Sequence, residues 1–142
     1  MIKAKDFLNY VCNNLDYRSF TGYPQKEFIS LYNNMDSSFM HYIPTVRNDI
    51  AFSLALGTSL CGVKSIVIAN GSKFLEDYEK LKNTVFSHKV PFLILLFNDC
   101  NIKKLPMKTF KLGDAFESNL KRASSFALSN KTQVIILIDG VF

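Results

Sequence analysis

The chain has 142 residues, of which 48% are hydrophobic and 20% charged, with a net charge of +5. That length suits a single core, and that composition excludes a disordered chain. No apolar run approaches the ~20 residues that cross a bilayer. The start, Met1-Ile2-Lys3-Ala4-Lys5-Asp6, lacks the apolar segment of a signal peptide. A cytoplasmic protein with no membrane partner is expected.

Phe7, Leu8, Val11, Cys12 and Leu15 recur at helical spacing and predict a helix over 5–15. A short extended run over 17–21 closes at Gly22-Tyr23-Pro24, and helical spacing returns over 25–32. Pro24 suits a helix start, where its missing N–H is not needed. A strand is expected over 39–43. The segment 48–60 reads as a helix almost without charge after Asp49, so burial on several sides is expected. Within it, Gly57 suits a close backbone approach, and Gly62 suits the position just past the helix end.

Ser65–Ala69, Val90–Phe97 and Gln133–Ile138 are apolar runs without alternation, the pattern of central parallel strands. Between them, 73–87 and 114–129 read as helices, 98–112 as a Lys- and Asn-rich loop, and Asn70-Gly71 as a turn. Strands and helices alternate throughout. The expected fold class is therefore α/β, a three-layer sandwich with a mostly parallel central sheet. The last strand nearly reaches the final residue, so one domain over 1–142 is expected.

Cys12, Cys61 and Cys100 are scattered, and neither His41 nor His88 stands at metal-ligand spacing from any of them. Three buried or half-buried free thiols, and no metal site, are expected. Lys103, Lys104, Lys108 and Lys111 form the densest basic cluster. It matches no nucleic-acid motif and reads as a solvated loop or an anion-attracting rim.

In open parallel sheets, ligands bind beyond the carboxyl ends of the strands. Four segments fall there: Thr21 to Lys26, Thr45 to Asp49, Asn70-Gly71-Ser72 and Asn98-Asp99-Cys100. They hold most of the polar loop residues that can converge. His41 and His88 fall away from those ends. A phosphoacceptor signalling domain would place an acidic pair after the first strand and an Asp after the third; Ala69-Asn70-Gly71 offers no such acceptor.

The order and spacing of these segments resemble the pyrimidine-binding domain of thiamine-diphosphate-dependent decarboxylases, above all the phosphonopyruvate and sulfopyruvate decarboxylase group. Gly22-Tyr23-Pro24-Gln25-Lys26 stands where that group has G-V-P-D-S. Arg47-Asn48-Asp49 stands where it has the helix-leading Glu. Asn70-Gly71-Ser72 stands where it has N-S-G, and Val90 to Leu95 resembles its I-P-M-L-L-L strand. The resemblance spans about residues 17–98.

The resemblance implies a thiamine-diphosphate-binding fold, a cofactor that serves as electron sink for decarboxylation of a small 2-keto acid, and site residues on these loops. Gly22, Pro24, Asn70, Gly71 and Ser72 would hold the cofactor, Gln25, Lys26 and Arg47 the substrate, and Asn48 and Asp49 the catalytic position. The family's diphosphate and Mg²⁺ are held by another domain through G-D-G and N-N. Gly113-Asp114-Ala115 and Asp139-Gly140 match neither. A diphosphate-binding partner subunit, a homo-oligomer, or both are therefore implied, with weak or absent cofactor binding by the isolated chain.

The likeness departs at the chemistry. Counting back from Gly57, the family Glu falls on Asn48, whose amide cannot cycle a proton. Asp49 is adjacent and one methylene shorter; compensation of the helix dipole is its other reading. Asn48 also suits a helix N-cap. Lys26, Arg47 and Lys73 bring positive charge that would suit a carboxylate, phosphonate or sulfonate, or plain solvation. Two readings stand: a decarboxylase subunit, or an inactive structural or regulatory subunit of the same fold.

Overall fold

Three uninterrupted apolar runs form the middle of the sheet. The computed structural model describes residues 2–99, 104–139 and 142. Strands β1 (Ser19–Gly22), β2 (His41–Pro44), β3 (Ser65–Asn70), β4 (Phe92–Phe97), β5 (Thr109–Lys111) and β6 (Gln133–Ile138) lie in the order β2-β1-β3-β4-β6-β5. Every pairing is parallel. The expected strands at 65–69, 90–97 and 133–138 are the central β3, β4 and β6.

Side chains alternate across the pleat, so each central strand feeds two cores. Ile66, Ile68, Leu93, Leu95, Val134 and Ile136 face one layer. It is built by α1 (Ala4–Asn9, continued by a wide π turn over Tyr10–Asn14), α2 (Ile29–Asn33) and α5 (Phe116–Asn130). Val67, Ala69, Ile94, Leu96, Ile135 and Leu137 face the other layer, built by α3 (Asn48–Leu60) and α4 (Gly71–Leu81). Both faces being covered explains why these strands read as continuous apolar runs.

Several boundaries differ from the sequence reading. The expected helix at 73–87 starts at Gly71 and stops at Leu81. Beyond it, tight turns fold Phe86 back onto Phe52, Phe74 and Tyr78, with ring centroids 5.4 to 5.8 Å apart. That packing replaces further helical turns. The expected 98–112 loop contains β5. α3 is buried only through Asn48, Ala51, Phe52 and Ala55, and its outer face, with Ile50 and Leu60, is exposed. Gly57 lies on that open face with nothing near its missing Cβ, so the expected close approach is absent there. The close approach is at Gly22, where a Cβ would collide with the Ile68 carbonyl. Gly62 has φ +89° just past the end of α3, as its position predicted. Cys12 is buried, whereas Cys61 is exposed because it follows that outward face; Cys100 and Lys103 lie outside the described residues. No helix among the described residues is long and apolar enough to cross a membrane.

Candidate functional site

The sheet ends in a cleft where β1, β2 and β3 run out. Gly22, Pro44 and Asn70 are their last residues. The chain leaves β1 through Tyr23-Pro24-Gln25 and leaves β2 through Thr45-Val46-Arg47. α4 rises from β3 as the third wall. These segments enclose about 690 Å³ lined by Tyr23, Pro24, Gln25, Glu27, Val46, Arg47, Asn48, Asp49, Asn70, Lys73, Glu76, Asp77 and Lys80.

Of the residues singled out from sequence, Pro24, Gln25, Arg47, Asn48, Asp49 and Asn70 come together here. Gly22 lies beneath the cleft, packed against the backbone of β3. Lys26 is exposed and points no charge into the lining. Gly71 and Ser72 form no turn, because β3 runs straight into α4. Asn98 and Asp99 of the fourth expected loop are not in the lining. Asp99 accepts hydrogen bonds from the Ser72 N–H at 2.9 Å and the Ser72 hydroxyl at 2.6 Å, which satisfies the start of α4 and draws Ser72 away. Asp139 likewise accepts from the Asn98 amide at 2.8 Å, and Gly140 lies outside the described residues. His41 and His88 lie outside the lining. Lys73, also expected near the cleft, lines it; the rest of the α4 wall was missed in sequence, because Glu76, Asp77 and Lys80 read as an ordinary solvated helix face.

The charges of the cleft are largely paired off. Arg47 holds Asp49 through two hydrogen bonds of 3.0 Å, Nε to one carboxylate oxygen and Nη2 to the other. Lys73 lies 3.6 Å from Glu76. Glu27 and Asp77 add further negative charge. The lining therefore carries no excess of positive charge, which favours the solvated reading of Lys26, Arg47 and Lys73 over anion binding.

Arg47 occupies the N-cap position of α3 and makes no side-chain cap bond. Asn48 is the first helical residue, not the cap. Its side chain turns inward and is 6% exposed. Its Oδ1 is buried without a hydrogen-bond partner, and so are Gln25 Oε1 and Asn70 Oδ1. A buried acceptor left unpaired costs about 1–3 kcal/mol. Three carboxamides from three chain segments, each with an unpaired buried oxygen, thus border one cleft. Among the described residues no group of three or more His, Cys, Asp or Glu side chains is placed to hold a metal ion.

No protein-family model and no curated protein sequence matches the chain. Solved structures do. The chain is similar to a 2-oxoglutarate:ferredoxin oxidoreductase from Magnetococcus marinus (TM-score 0.73, 15% identity, 99% of this chain and 29% of that one). It is similar to a benzoylformate decarboxylase from Polynucleobacter necessarius (TM-score 0.74, 16% identity, 97% and 30%). It is also similar to a thiamine diphosphate-dependent 4-hydroxybenzoylformate decarboxylase from Rhodococcus jostii RHA1 (TM-score 0.74, 14% identity, 96% and 30%). The chain spans under a third of the length of each. The α/β fold is that of domains in thiamine-diphosphate-dependent enzymes.

Proposed function

We propose that this chain is the ring-holding half of a split, thiamine-diphosphate-dependent decarboxylase-like assembly for a small 2-keto acid. A partner subunit would supply the diphosphate and Mg²⁺ contacts. In this chain the half-site holds its ligand without supplying a proton-cycling carboxylate.

The observation that carries this reading is the trio of unpaired oxygens on Gln25, Asn48 and Asn70. A ligand that donates hydrogen bonds satisfies them. An amino-substituted heterocycle has an N–H₂ donor and ring-nitrogen acceptors, and each carboxamide offers both complements. A carboxylate, phosphonate or sulfonate accepts only. It satisfies none of the three, and Arg47 and Lys73 already have acidic neighbours. When bound, thiamine diphosphate supplies the electron sink for loss of carbon dioxide. Gln25, Asn48 and Asn70 would grip the ring edge, and Tyr23 and Val46 would give it apolar cover at the mouth.

A second reading, a subunit that catalyses through Asp49, is favoured by one observation. Asp49 lines the cleft, and its Arg47 partner is a surface side chain, so their pairing is weak enough for a partner subunit to break.

The test is amide-shift mapping of the chain with 4-amino-2-methylpyrimidine and, separately, with pyruvate. The pyrimidine should move Gln25, Asn48 and Asn70, and Asn48→Leu should abolish the response. Shifts produced by pyruvate alone, centred on Arg47 and Lys73, would overturn the reading.

A further inference from the structure

The far edge of the sheet carries a second surface that shares no residue with the cleft. β5 is the terminal strand. The Lys108 carbonyl accepts from the Ile135 N–H and the Leu112 N–H donates to the Leu137 carbonyl, both at 2.9 Å. Alternation along the strand turns the Thr109 N–H and carbonyl and the Lys111 N–H toward the open edge, while the Lys111 carbonyl accepts from the Asn119 side-chain amide at 3.0 Å.

Beside this strand, Lys108, Phe110, Lys121, Arg122, Ser125 and Phe126 line a groove of about 520 Å³. The Phe110 and Phe126 rings are half-buried, with centroids 6.2 Å apart. Lys108 Nζ lies 5.4 Å from the Phe110 centroid and 5.5 Å from that of Phe126. The Arg122 guanidinium carbon lies 5.4 Å from the Phe110 centroid. The rings hold two long cations over the groove rather than letting them trail into solvent. The ion pairs of the described residues, Arg18–Asp16, Arg47–Asp49, Lys73–Glu76 and Lys82–Glu79, all lie elsewhere. Among the described residues Lys108, Lys121 and Arg122 form no ion pair.

We propose that this groove docks an extended acidic segment of a partner protein, laid along the open edge of β5 with its carboxylates on Lys108, Lys121 and Arg122. The Thr109 N–H and carbonyl and the Lys111 N–H supply main-chain partners at the open edge, and the Arg122 fork suits a carboxylate. Single-stranded nucleic acid is disfavoured because it stacks bases on free aromatic faces, and cations cover these faces. A lysine that only guards an edge against pairing needs no ring beneath it.

The experiment titrates the full chain with a labelled peptide of about ten alternating Glu and Val residues, the length of an added strand. Backbone shifts should concentrate at 108–111 and 121–126. Added salt should weaken binding, and Lys108→Glu with Arg122→Glu should weaken it at least about ten-fold. A peptide with Lys in place of Glu should not bind. Circular dichroism of the double variant checks its fold, and Lys121→Glu, on the exposed face of α5, repeats the test at a site no packing depends on. Unmoved groove resonances at millimolar peptide, equal affinity in the charge-reversed variants, or tighter binding of a single-stranded oligonucleotide at the same salt would each overturn the proposal.

Discussion

In the proposed function Asn48 takes the place of the proton-transferring group that would face the ring; its side chain is buried with an unpaired oxygen. An amide holds a ring but has no pKa with which to move a proton. Asp49 has the chemistry, but its two oxygens are both engaged by Arg47. In a complex reconstituted with a diphosphate-binding subunit, Asn48→Glu should speed exchange of the thiazolium proton by about 10²-fold or more, the contribution typical of a positioned acid–base group. Asp49→Asn should leave that exchange unchanged. A large loss in Asp49→Asn would favour the reading in which Asp49 catalyses. Cys12 gives a second expectation at this scale. Burial pushes its thiol up from 9.0 to about 11, against an opposing pull from Arg18. The unfolded thiol ionises first, so the stabilising contribution is complete below pH 9.0 and is lost as pH rises through about 11. Burial also raises Tyr17, against its 3.0 Å hydrogen bond with Ser124, so the tyrosine adds a further loss at the alkaline end. Urea midpoints should be flat to about pH 9 and then fall, with the onset delayed in Cys12→Ala.

Among the elements, α4 connects fold to site, because it caps one core and walls the cleft. Phe74 and Leu81 bury one stripe, while Lys73, Glu76, Asp77 and Lys80 line the cleft on another. Its first turn depends on a carboxylate from a distant segment, Asp99, two residues past the end of β4. Loss of such a cap costs about 1 kcal/mol. Asp99→Ala removes both bonds and should lower stability by about that amount in chemical denaturation; Ser72→Ala keeps the backbone N–H bond and should cost less, and the double variant should add little to Asp99→Ala. This contact also marks where sequence reasoning stopped. The pair is 27 residues apart, and neither residue signals the other. β3, β4 and β6 were legible because burial on both faces writes an unbroken apolar run. β5 was not, because three residues flanked by lysines carry no such run and are fixed only by pairing with β6. The rule that ligands sit beyond strand ends located Gln25, Asn48 and Asn70. It could not separate them from Gly71 and Ser72, whose removal from the cleft is a tertiary event.

For the molecule as a whole, one face remains without the polar cover expected of a surface. From Ile50 to Val63 no residue is charged. On α3, Ile50, Ser53, Gly57 and Leu60 follow helical spacing and are all exposed; Leu60 is 67% exposed, and Val46, just before the helix, is 77% exposed. The sequence reading expected this helix to be buried on several sides, and within one chain it is buried on one. The apolar stripe begins at the cleft mouth, where Val46, Asn48 and Asp49 lie. A subunit covering it would sit beside the cleft. We propose that this face is where a second copy or the diphosphate-binding subunit packs. Burying apolar area there contributes about 25 cal/mol per Å², which a lysine at either end of the stripe would forfeit. Ile50→Lys combined with Leu60→Lys should therefore convert an oligomer to a monomer in light scattering. The thermal midpoint of the isolated fold should change little, because neither side chain belongs to the core. A wild-type chain that stays monomeric at high concentration, and that fails to retain a diphosphate-binding subunit on co-purification, would remove this face from the assembly.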